Sequence, residues 1–205
     1  VDITNSLLEK FSGLKAEATV YNLDGSVKYT KSVTTDVDAD GVKECLKLPA
    51  INGLSDAYFL RLQLNDAAGK VKSINWYWLS KKPDVLNWKK SKWYMTPETS
   101  YTDFSALQHI GKTALKVSYH IEKGTDTTSN TVTITNTGKT VAFQVHLRAL
   151  KGKDGDDILP VIFSDNYLSL APGESRVIHC SYANKDAKAE PYFLTSGWNL
   201  DLAAS

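Results

Sequence analysis

Leu115-Lys116-Val117-Ser118-Tyr119-His120-Ile121-Glu122 puts an apolar side chain at every odd position and a polar one at every even position. Side chains of a β-strand alternate between the two faces of its sheet, so this stretch predicts a strand with one buried and one wet face. The same period of two recurs in Leu14–Val20, in Tyr58–Asn65 (Tyr58, Leu60, Leu62, Leu64) and in Val141–Ala149 (Val141, Phe143, Val145, Leu147). Helical periodicity is nearly absent. Asp24-Gly25, Asn52-Gly53, Ala68-Gly69, Thr137-Gly138 and Asp154-Gly155 fall between such runs and supply residues that tolerate positive φ. Ala171-Pro172-Gly173-Glu174 has the form of a type II turn, with Pro presetting φ and Gly taking the left-handed position. Short alternating strands separated by tight turns predict an all-β chain of immunoglobulin-like β-sandwiches.

The rhythm stops between Pro83 and Phe104. That stretch carries Trp88, Trp93, Tyr94, Pro97 and Tyr101 with Lys89, Lys90 and Lys92 among them, whereas a flexible linker is rich in Gly and Ser. Large aromatics are not left in water without reason, so it reads as a packed connector over 83–104. It separates two sandwiches in tandem, 1–82 and 105–205, each near the ~100 residues of an immunoglobulin-like domain.

The 205 residues carry 24 Lys and Arg against 23 Asp and Glu, a formal charge of +1. So even a balance sets up no long-range field for a polyanion, which argues against nucleic acid as a partner. No apolar run reaches the ~18 residues of a membrane-crossing helix, and a membrane partner is not expected. The first residues show no charged n-region and apolar h-region, so no signal peptide is read there. Met95 is the one methionine, and Val1 is therefore expected to lie inside a longer polypeptide. Cys45 and Cys180 sit in different expected domains without a C-x-x-C spacing, which predicts two free thiols.

Few constellations carry chemistry. Asp36-Val37-Asp38-Ala39-Asp40-Gly41 begins like a calcium loop, but its twelfth position is Lys47 where a bidentate Glu is required. Asp36, Asp38 and Asp40 are thus a weak metal candidate, read instead as the acidic edge before a strand Val42–Leu48. The four histidines share no ligand spacing, and His120 and His146 fall on polar strand faces. No phosphate loop, nucleophile elbow or rigid carboxylate pair is found, so no metal, cofactor or catalytic residue is assigned. The aromatics remain. Trp78, Trp88, Trp93 and Tyr94 are candidates for contact with sugar or with a neighbouring domain, packing being the preferred reading. Trp76 and Trp78 share one strand face, and Tyr77 takes the other.

Several stretches together resemble the C-terminal part of glycoside hydrolase family 2 enzymes of the β-mannosidase and exo-β-D-glucosaminidase type, with the nearest similarity to the subgroup that includes mannosylglycoprotein endo-β-mannosidases. They are Leu14–Gly25, Asn75–Ser80, Val85–Leu107 around Trp93-Tyr94-Met95-Thr96-Pro97, Val132–Gly138, Ile158–Glu174 and Ser196–Asn199. The most distinctive run is Leu159-Pro160, Ser164-Asp165-Asn166-Tyr167 and Pro172-Gly173-Glu174. The resemblance implies a retaining glycosidase whose two catalytic Glu lie in a (β/α)8 barrel outside this chain, with the chain forming two accessory sandwiches. The barrel is then the expected partner, carbohydrate substrate is met through the parent, and a periplasmic or extracellular setting is implied. The Ser164–Tyr167 loop is expected to fix local geometry. An independent carbohydrate-binding module using exposed Trp, and an adhesion-type tandem of immunoglobulin-like domains, are the alternatives.

Overall fold

In the computed structural model the alternating stretch Leu14–Val20 is the inward face of a twelve-residue strand, with Leu14, Ala16, Ala18 and Val20 all buried. All residues are described except Lys188, Asp201, Leu202 and Ser205, together with the side chains of Ala203 and Ala204. The chain divides into two compact units, Val1–His109 and Ile110–Ser205, so the 83–104 segment groups with the first.

The first unit contains β1 (Asp2–Asn5), β2 (Phe11–Asn22), β3 (Val27–Val37), β4 (Gly41–Glu44), β5 (Ala57–Asn65), β6 (Val71–Ser80), β7 (Val85–Leu86) and β8 (Glu98–Ser100). An antiparallel sheet of order β3-β2-β5-β6 lies against a small sheet of β1 and β4. Ile3 and Val37 pack with Leu14 and Ala16, and Leu46 and Leu60 with Ala18 and Val20. The strand expected over Val42–Leu48 stops at Glu44, because the amides of Cys45 and Leu46 both turn to the Val1 carbonyl (3.0 and 3.3 Å). On the other face of the larger sheet Trp76 stacks on Tyr21 at 5.7 Å and meets Phe59 edge-on at 6.3 Å, with the Arg61 guanidinium 5.9 Å above its ring. A 3-10 turn, Ser105–His109, packs on β5 and buries Leu107. The expected hairpin turns Asp24-Gly25 and Ala68-Gly69 both hold glycine at positive φ, 82° and 83°.

The second unit contains β9 (Leu115–Lys123), β10 (Thr127–Asn136), β11 (Ala142–Lys151), β12 (Ile162–Phe163), β13 (Leu168–Leu170), β14 (Ser175–Ala183), β15 (Pro191–Ser196) and β16 (Ala203–Ala204). Two four-stranded sheets, β12-β14-β10-β9 and β13-β11-β15-β16, enclose Val132, Ile134, Val145, Leu147, Ile158, Leu170, Ile178 and Phe193. The Ala171–Glu174 turn closes as expected, with Glu174 N–H donating to Ala171 O at 3.0 Å and Gly173 at φ 76°. The alternation in β11 is broken by a bulge at Gln144, which takes φ 54° and shifts the pairing with β13. Two buried asparagines replace the lost regularity. Asn199 Oδ1 accepts from Phe143 N–H (3.0 Å), and its amide group donates to Val141 O (2.9 Å) and Gly111 O (2.8 Å). Asn136 does the same at the other end of β10, at the turn toward β11. Both thiols are free. Burial pushes the Cys180 thiol up to about 11.

Candidate functional site

The segment expected as a packed connector is a hairpin arm with its aromatics exposed. β7 pairs with β8, Asn87 N–H donates to Pro97 O at 2.7 Å, and the Ser91 and Thr96 hydroxyls meet at 2.7 Å. Lys92 and Met95 exchange both backbone hydrogen bonds (2.8 and 3.2 Å), which makes Trp93-Tyr94 the two residues of the turn. At the base the Asp84 carboxylate accepts from Thr102 N–H at 2.6 Å. The sequence dictates this course: Asn87 leads into the 3-10 turn Trp88–Lys90, and Pro97 offers a carbonyl to the ladder without requiring a partner for an N–H.

At the tip the Trp93 and Tyr94 rings stand edge to face, with centroids 5.3 Å apart and planes at 82°. Trp93 is 95% exposed, Trp88 72% and Tyr94 68%, and Met95 and Tyr101 are also open. Contiguous apolar exposure of this kind marks a candidate interaction surface. Of the four candidate residues the structure brings Trp93 and Tyr94 together and places Trp88 on the same arm. Trp78 stands apart on β6, opposite Phe59 in the ladder and 41% exposed.

The acidic candidate does not assemble into a cage. Asp36 Oδ1 accepts from Gly13 N–H at 2.8 Å, the Asp38 carboxylate pairs with Lys10 Nζ at 3.0 Å, and Asp40 forms the turn before β4 at φ 46°. Among the described residues no three His, Cys, Asp or Glu side chains converge.

A second cluster, on the second unit, escaped the sequence reading. His146, expected on a wet face, stacks flat on Tyr167 with centroids 4.4 Å apart and planes 8° apart. Two residues along β11, Arg148 forks onto both oxygens of Asp157 at 2.9 Å. Asn166 fastens the loop that carries Tyr167, accepting from Leu147 N–H (2.8 Å) and donating to Leu147 O (2.9 Å). Asp165 and Ser164 are also engaged, by Arg176 and by His179 N–H. The Ser164–Tyr167 motif thus holds its loop, as expected, but through β11 and β14 as much as through its own backbone. The available signal was the i, i+2 spacing of His146 and Arg148; the loop residues that meet them come from elsewhere in the chain.

Burial first, and then the Arg148 charge, hold the His146 imidazole below its ordinary 6.5, against a smaller pull from Asp157. The ring is therefore neutral in the fold where the unfolded chain already binds a proton. Its contribution to stability is complete above about pH 6.5 and declines as pH falls from there through the lower native value. An NMR titration of the His146 ring is expected to give a midpoint below 6.5. Arg148→Ala should raise that midpoint only part of the way, because burial is the larger cause; a midpoint above 6.5 in the unaltered protein would show that burial does not dominate at this ring.

These units define a class: tandem immunoglobulin-like sandwiches that carry an uncovered aromatic arm. Residues 93–200 match the exo-β-D-glucosaminidase Ig-fold domain family, and residues 1–82 match the mannosidase Ig/CBM-like domain family. Exo-β-D-glucosaminidase of Amycolatopsis orientalis is 40% identical over 205 residues, covering 97% of this chain and 20% of that protein. The enzyme of the same name from Streptomyces avermitilis is 41% identical, covering 97% and 23%. The crystal structure of Amycolatopsis orientalis exo-chitosanase CsxA superposes with a TM-score of 0.90 at 37% identity, covering all of this chain and 25% of that one. A point variant of that enzyme has also been solved in complex with PNP-β-D-glucosamine. The chain belongs to the exo-β-D-glucosaminidase Ig-fold domain family, within glycoside hydrolase family 2. It spans about a fifth to a quarter of the length of these relatives. The sequence resemblance put the endo-β-mannosidase subgroup nearest; the relatives above are instead named for glucosaminidase and not for mannosidase activity.

Proposed function

We propose that the chain is a pair of non-catalytic sandwiches from an exo-β-D-glucosaminidase, bracing a catalytic barrel supplied by the rest of the parent polypeptide. The observation that carries the reading is the aromatic arm. Trp88, Trp93, Tyr94 and Met95 offer an apolar surface that calls for a cover, and the named relatives are four to five times longer than this chain. Charge separates protein from sugar as that cover. Lys89, Lys90 and Lys92 lie among the aromatics, and no Asp or Glu occurs between Asp84 and Glu98. A polymer of glucosamine is itself cationic near neutral pH and is repelled by such a rim, whereas an apolar protein surface bordered by carboxylates complements it.

The parent enzyme and the isolated 205-residue chain provide the test with p-nitrophenyl β-D-glucosaminide. The isolated chain should release no nitrophenol, and its Trp fluorescence should be unmoved by chito-oligosaccharide up to millimolar concentration. Trp93→Ala with Tyr94→Ala should lower the melting temperature of the parent while leaving that of the isolated chain within a degree or two. Turnover by the isolated chain that disappears when one of its own Glu residues is replaced would overturn the proposal.

A further inference from the structure

Asn52-Gly53 is the one Asn-Gly pair in the chain, and it lies in the loop between β4 and β5. Both residues are exposed and form the turn of that loop, with Gly53 at φ 73°. A Cβ added at Gly53 would meet nothing within 4 Å, so the space around its amide is open. Among the described residues no hydrogen bond holds the Asn52 side chain or the Gly53 N–H.

Asn5-Ser6 makes the contrast. Its second residue is also small, but Asn5 is buried and its amide group is fully engaged. Asn5 Nδ2 donates to the carbonyls of Glu9 and Asp38, both at 2.8 Å, and its Oδ1 accepts from Leu7 N–H at 3.0 Å. An asparagine side chain holds an electrophilic carbon within reach of the next backbone nitrogen, and a following glycine puts no side chain in the way. Only at position 52 does the fold leave both partners free.

We infer that Asn52-Gly53 is a self-modification site, at which the chain converts an amide to a carboxylate and in part reroutes its own backbone. Hydroxide takes the Gly53 amide proton, and the nitrogen attacks Asn52 Cγ to close a succinimide ring. The side-chain nitrogen takes a proton from water and leaves as ammonia. A second water opens the ring at either carbonyl. One opening gives aspartate at position 52; the other gives isoaspartate, whose backbone runs through the former side chain and is longer by one carbon.

The fold sets both the rate and the consequence. Asn22 Nδ2 donates to Gly53 O at 2.9 Å, and its Oδ1 accepts from Ser55 N–H at 2.9 Å. This strap resists the rotation of the Gly53 peptide that brings its nitrogen to Cγ. On either side of the turn Ile51 and Leu54 pack against Ala18, Val20, Leu46 and Leu60. A longer backbone between these two anchors cannot keep both seated, so isoaspartate loosens the core of the first unit. The inference is independent of what the parent hydrolyses.

The 205-residue chain, incubated in neutral and in mildly alkaline buffer and then digested for peptide mass spectrometry, provides the test. Position 52 should convert at least about ten times faster than Asn5, which must first give up its three hydrogen bonds. The rate should rise about tenfold for each unit of pH, because the attacking nitrogen must lose its proton, and isoaspartate should be among the products. Asn22→Ala should speed the conversion about three- to tenfold, the worth of one hydrogen bond. Asn52→Gln should stop it without harm to the fold, since that side chain is exposed. The isoaspartate form, separated by ion exchange, should melt about 4 °C or more below the fresh chain. Intact Asn52 after an incubation that exhausts a free peptide of residues 49–56 overturns the inference. So does conversion that yields aspartate alone, or that runs no faster than at Asn5.

Discussion

Phe193→Ala should lower the unfolding free energy of the second unit by about 3–5 kcal/mol, the range for removing a fully enclosed aromatic ring from a core. Phe193 has no exposed surface, lies in the centre of β15 beside Ala149 of β11, and meets the Tyr119 ring from the opposing sheet at 4.9 Å. Its loss removes both apolar burial and the contact that joins the two sheets, and the framework of two hydrogen-bonded sheets cannot collapse onto the space. Urea denaturation followed by far-UV circular dichroism gives the change directly. Phe193→Leu should recover a good part of it, since most of the volume is restored. A loss under about 1 kcal/mol for Phe193→Ala would mean that the two sheets do not close on this ring.

Asn136→Ala is expected to be almost as damaging, at about 3–4 kcal/mol, for the opposite chemical reason. The side chain is fully buried and uses every hydrogen-bonding capacity it has. Its oxygen accepts from the Thr113 hydroxyl (2.8 Å) and from Gly138 N–H (3.0 Å), and its nitrogen donates to the carbonyls of Thr140 (2.8 Å) and Leu170 (3.0 Å). An alanine leaves four polar groups without this partner, two of them, the Thr113 hydroxyl and the Leu170 carbonyl, in buried bonds. Asn136→Asp should be no better, because a carboxylate would point acceptor oxygens at two carbonyls. Recovery of wild-type stability by either variant in a urea titration would show that these groups find water or one another at little cost.

The strands were legible wherever one face is buried and the other wet, since the period of two is a direct image of that asymmetry. Leu14–Val20 is of this kind; in Leu115–Glu122 the alternation is kept although its apolar face is at most half-buried and Tyr119 is exposed. Asn136 and Asn199 were not legible as clamps. A polar letter at an inward strand position reads as an interruption until the backbone groups that surround it are known. The bulge at Gln144 was hidden for a similar reason, because it is completed by Asn199 and Trp198, more than fifty positions away. Over 83–104 the richness in Trp and Tyr signalled a surface to be covered, but composition carries no information about whether the cover lies in the same chain. Trp93 and Tyr94 stood out by residue type alone, and their edge-to-face pairing depends on the two-residue turn between Lys92 and Met95, which the run of lysines concealed.

Asn199 has a consequence for how the second unit comes into being during synthesis. Its one side chain fastens Gly111, Val141 and Phe143, and its backbone carbonyl takes the Thr113 amide at 3.1 Å. The opening residues of the unit are thus latched by nearly its last, a closure of long sequence separation that is slow to find. While the ribosome still holds that final stretch, β9 to β14 can be made but not locked. The unit is locked only once Asn199 has emerged from the exit tunnel, and a nascent chain halted before that residue would remain open to chaperones and proteases.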